Sequence, residues 1–135
     1  MPVARWTAVL TVLVACGGSQ PAQTPPPPKV DTAALAAELD AEQGELAEIL
    51  HRDRDHCPEL AANLKVLFDR MRASFARANQ VQQDPALAKQ LTTDLKRYDA
   101  VAAERSAQMT GDLTPDSPCV RDPAVVDMLM SMPTL

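Results

Sequence analysis

Aromatic side chains are scarce in this 135-residue chain: one tryptophan, one tyrosine and two phenylalanines. Glycine occurs four times, cysteine three times and histidine twice. Each scarcity excludes something. Gly17, Gly18, Gly44 and Gly111 are too scattered to form a glycine-rich loop around a phosphate. The aromatics give no stacking platform, Lys and Arg form no stripe, and the formal net charge of −5 repels phosphate backbones. Nucleic acid is therefore excluded as a partner. The alternation of apolar and polar residues that marks half-buried strands is missing too. The most apolar stretch, Trp6 to Val14, falls well short of the roughly 20 residues a membrane-spanning helix needs. Neither HExxH nor CxxCH occurs.

What is present begins at the N-terminus. Arg5 supplies a positive charge, the Trp6–Val14 run follows, and the run ends in Leu13-Val14-Ala15-Cys16 ahead of Gly17-Gly18. These residues resemble the bacterial lipoprotein signal, the lipobox. The resemblance implies that residues 1–15 are a cleaved signal peptide, to be set aside from the folded chain. It implies a diacylglycerol on the Cys16 sulfur, Cys16 as the new N-terminus, and the membrane as a partner through that lipid. No other cofactor is implied. Several acyl chains anchor stably, because each buried CH₂ contributes about 0.8 kcal/mol and one chain alone is marginal. Glycine after the cysteine resembles outer-membrane sorting, which implies the periplasmic face of the outer membrane in a bacterial cell envelope. An ordinary secretory signal on a soluble protein is the alternative. Cleavage removes Arg5 and Trp6 and leaves the chain one charge more negative.

Residues 16–30 carry the lipidated cysteine and then a proline-rich linker, with Pro25 to Pro28 favouring extended polyproline II. At about 3 Å per residue it reaches roughly 40 Å from a membrane. It reads as a spacer rather than a proline-rich recognition motif.

Residues 31–135 have helical periodicity throughout. The first helix is expected from Thr32 to Arg54, capped by Asp31 or Thr32, with Leu35, Leu39, Leu46, Ile49 and Leu50 on one stripe. Gly44 costs it about 1 kcal/mol relative to alanine and permits a bend. The second starts at Pro58 and places Leu60, Leu64, Leu67, Met71, Phe75 and Ala78 at near coiled-coil spacing. Asp84-Pro85 opens a third, running toward Met109 with Gly111 as its stop. Asp122-Pro123 opens a short fourth carrying Val125, Val126, Leu129 and Met130. Short connections favour antiparallel neighbours. The fold class is all-α: a small three- to four-helix antiparallel bundle behind the signal and tether. The sequence sets no oligomeric state.

With Cys16 taken by lipid, Cys57 and Cys119 remain, and an even pair in an oxidising compartment points to a disulfide. Topology agrees, since Cys57 lies between helices one and two and the third helix returns the chain to that same end. The stretch from His51 to Cys57 also offers His51, Asp55 and His56 as metal ligands. Measured from Leu46, His51 lies about 140° and Asp55 about 180° round the helix. Both should face solvent, with Arg52 and Arg54 interleaved, so a solvated helix end is the preferred reading and a metal site the alternative. Met128, Met130 and Met132 form a second alternative, because thioethers suit Cu(I). On a helix they diverge and fill gaps in an apolar face.

Bundles of the cytochrome b562 kind share the fold class alone, since their haem needs a histidine near the bundle's end and His51 and His56 lie early. Glu38, Asp40, Glu42, Glu45 and Glu48 read as a solvated helix face. Nothing indicates an enzyme. The expected function is that of a membrane-anchored envelope lipoprotein acting as a non-catalytic interaction or structural module, with an envelope protein as its partner. The alternative is a small carrier of copper, zinc or another ligand.

Overall fold

The computed structural model describes residues 29–134. Cys16, the signal and most of the linker lie outside them. Five α-helices follow in order: α1 Thr32–Asp53, α2 Cys57–Gln82, α3 Pro85–Leu95, α4 Asp99–Asp112 and α5 Pro123–Met130. Among the described residues there is no strand, so the fold is all-α. No described helix is long and apolar enough to cross a membrane.

Three helix starts rest on the same device. The carboxylate of Asp31 accepts from the backbone N–H of Ala34. Asp84 accepts from Ala86 and Leu87, and Asp122 from Ala124 and Val125. In each case a side-chain oxygen satisfies donors the first turn cannot pair internally.

The third expected helix is one rod broken once. A 3₁₀ turn, Lys96–Tyr98, separates α3 from α4. The tightening follows Asp94, which is held by the hydroxyl of Thr32 at 2.7 Å and by Arg97 at 3.0 Å. Gly111 does not stop the rod. It lies inside α4, which runs to Asp112, and no described glycine has positive φ.

α1 is the central helix. It runs antiparallel to α2 and parallel to α4, and packs closely on α3 as well. The acidic row that looked solvated in sequence is its fastening. Glu38 pairs with Arg77 and Glu45 with Arg70 on α2, each at 2.5 Å. Buried Glu42 accepts from Ser74 on α2 at 2.5 Å, and Asp40 pairs with Arg105 on α4. Glu48 alone of the five is exposed without such a partner. The solvated face survives at Glu48 and in part at Glu38 and Glu45, whose side chains are 42 % exposed, and fails at Asp40 and Glu42, which α4 and α2 cover.

The core falls into two clusters. One holds Leu46, Ile49, Leu50, Leu60, Leu64, Leu67, Phe68 and Met71 with Cys119 and Val125. The other holds Leu35, Ala36, Ala78, Val81 and Leu91. Leu64, Leu67 and Val125 are wholly buried, each contributing about 2 kcal/mol by transfer from water. Cys57 and Cys119 are joined at the first cluster, their Cα atoms 5.1 Å apart. This bond holds the connection after α4 to the start of α2.

Candidate binding groove

α5 has eight residues and α2 has twenty-six, so about 12 Å of helix stands beside about 39 Å. α5 begins beside the disulfide and lies along α2, against which it buries Val125. It ends at Met130, and the chain then crosses into the gap between α2 and α4. Past that point the fourth corner of the bundle is unfilled. The unfilled part is a groove of about 470 Å³, within the ~300–1,000 Å³ range of ligand sites.

Its floor is α1, through Leu39, Gln43 and Leu46. Met71 and Phe75 of α2 form one wall; Leu95, Tyr98 and Met109 form the other. Met132 and Pro133 close one end. The lining is predominantly apolar. Leu46, Met109 and Met132 also border an adjoining hollow lined by Leu50, Leu113 and Leu129, so they act as a partition between two spaces. Phe75, expected in the seam of α2, is only half-buried because no helix stands opposite it.

Asp40 marks the polar rim. Arg105 donates to both the carboxylate and the carbonyl of Asp40 while only 23 % of its side chain is exposed. The guanidinium lies over Gly44, where an added Cβ would sit 3.1 Å from it. Gly44 therefore admits Arg105 rather than bending α1.

The histidine cluster separates. His51 meets Asp112 of α4, with Nδ1 3.2 Å from both carboxylate oxygens. Arg54 donates to the same carboxylate at 3.3 Å. Asp55 is exposed beyond the end of α1, beside Arg54, and His56 is exposed at the start of α2. His51 faces solvent as expected, its side chain 55 % exposed, while one edge of the ring meets the Asp112 carboxylate of α4.

Among the described residues no three His, Cys, Asp or Glu side chains are grouped to hold a metal. Asp53, buried at the end of α1, has its pKa lowered to about 2, chiefly by hydrogen bonding from Arg52 and further by Asn63. Asp94 is lowered by the Thr32 hydroxyl, with Gln90 and Arg97 assisting. These carboxylates serve as fasteners of the fold.

The methionine alternation also separates. Met128 packs beside Phe68, Met130 is 83 % exposed, and only Met132 reaches the groove. Met130 and the partly exposed Val126 thus leave the apolar face that sequence assigned to α5. Sequence reading missed Met71 and Met109, thirty-eight positions apart, as neighbours of Met132 around one space. Their shared helical spacing with core leucines was the only signal available. No family model matches the chain, and neither a curated protein nor a solved structure is similar to it.

Proposed function

We propose that the chain is a lipid-anchored protein of a bacterial cell envelope that acts without catalysis, as a module that binds a partner protein. Cys16 grips the membrane, residues 17–30 space the bundle from it, and the open fourth corner receives the partner. The groove carries this reading. A groove apolar on floor and walls is the kind of surface on which an amphipathic helix lays its apolar face. The Cys57–Cys119 bond supports the location, since structural disulfides belong to oxidising compartments.

Two measurements test the reading. Cys16→Ser should release the protein from membranes into the soluble fraction; a variant that stays bound without detergent refutes the anchor. A photo-crosslinking side chain at Tyr98 should give a discrete adduct in cells, and the same group at Val66, exposed on α2 away from the groove, should not. Equal labelling at both positions, or none at Tyr98, refutes the groove as the contact surface.

A second reading, a small-ligand or metal carrier, draws support from the groove's three thioethers. Extraction of the purified protein would then yield a bound small molecule or metal in stoichiometric amount.

A further inference from the structure

We infer that Met71, Met109 and Met132 form a site for a soft monovalent metal ion of the Cu(I) class. The inference rests on the carrier reading and names its ligand. Six methionines occur in the chain, and these three come from α2, α4 and the segment after α5 to line one groove. The methionines that alternate in sequence, Met128, Met130 and Met132, supply only one of the three.

Met71 belongs to the main core cluster and Met109 packs against it, yet both also face a space that packing leaves open. Met71 is buried, Met109 half-buried and Met132 41 % exposed, and all three border open space of about 470 Å³. Thioethers are neutral, soft donors that favour Cu(I) over harder divalent ions. Each rides on an unbranched side chain with three rotatable bonds, and the three approach one space from separate backbones. Phe75 and Tyr98 flank the space with aromatic surface, which suits a weakly hydrated cation. The His51–Asp112 pair lies one turn further along α4 and is already engaged.

Thioethers carry no proton to lose at ordinary pH, so affinity should be flat from about pH 5 to pH 7.5. A site using His51 would weaken as pH falls through the histidine range near 6.5.

The test uses Ag(I), a redox-inert ion of the same softness, on the full chain with its disulfide intact. A Cys16→Ser background removes the one sulfur that is neither thioether nor disulfide. One equivalent should bind and shift the Met71, Met109 and Met132 methyl signals, leaving Met130 in place. Met71→Leu or Met132→Leu, which conserves volume, should weaken binding at least about tenfold, whereas Met130→Leu should not. Absence of binding, a shift at Met130, or affinity that tracks histidine protonation overturns the inference. If Ag(I) fails to bind but the protein releases an apolar molecule on extraction, the carrier reading stands and only the metal falls.

Discussion

Removing the disulfide offers the most quantitative test of how the bundle is held. The bond spans 62 positions, and a loop of that size lowers the entropy of the unfolded chain enough to stabilise the fold by about 4 kcal/mol. Domains of this size have about 5–15 kcal/mol in all, so the bond is a large fraction of the total. At about 2.1 cal/mol/K per residue, roughly 100 residues unfold with about 0.2 kcal/mol/K, so the loss corresponds to a Tm lower by about 20 °C. Alanine is the suitable replacement, because Cys119 is buried and serine would strand a hydroxyl there. The assay is reversible urea unfolding of the Cys57→Ala/Cys119→Ala variant against the oxidised protein, followed by far-UV circular dichroism. Native-state hydrogen exchange supplies the discriminating readout. If the bond acts on the unfolded ensemble, protection should drop by a similar free energy at Val125 of α5 and at Leu64 and Leu67 of α2. A global loss under about 1 kcal/mol, with protection lost at Val125 alone, would refute the reasoning and make the bond a local clip for α5.

Two other outcomes are expected. Asp53→Asn should cost about 1–2 kcal/mol at pH 7, screened because Arg52 is half exposed. The Asp53 carboxyl is held at about 2 in the folded state against 3.8 normally. Its contribution is therefore complete above pH 4, and the gap between wild type and variant should close as pH falls from 4 to 2. A gap that persists at pH 2 in urea melts would contradict the assignment. Gly44→Ala should gain about 1 kcal/mol of helix propensity only when Arg105 is also cut to alanine, since the intact guanidinium occupies the space. A double-mutant cycle with no coupling would show that Arg105 moves aside freely.

The helix starts were legible because each combines a short acid with the first turn it serves: Asp31, Asp84 and Asp122 need only their next three residues. The Cys57–Cys119 pair was legible because helix lengths and short turns return both to one end. What sequence concealed is pairwise and distant. A helical wheel centred on Leu46 assigns one inward direction, yet α1 is flanked by α2 on one side and α4 on another. Asp40 and Glu42 are therefore covered by α4 and α2, while His51, Glu38 and Glu45 keep water and gain a partner on a neighbouring helix besides. The 3₁₀ turn at Lys96–Tyr98 was hidden because Leu87, Leu91, Leu95, Tyr98 and Val101 keep unbroken periodicity across it. The groove was hidden because it depends on how far α5 reaches, which no single segment states.

The division of the apolar interior into two clusters has a mechanical consequence. The cluster around Leu60 and Leu64 is bolted by a covalent bond, whereas the smaller one around Ala36, Ala78 and Leu91 is fastened by non-covalent links alone, such as Glu38 with Arg77 and Thr32 with Asp94. The molecule should therefore fray from the pole where α1 begins while the opposite pole stays shut. A pull on Thr32 would peel α1 away turn by turn, and would meet real resistance only near the bolt.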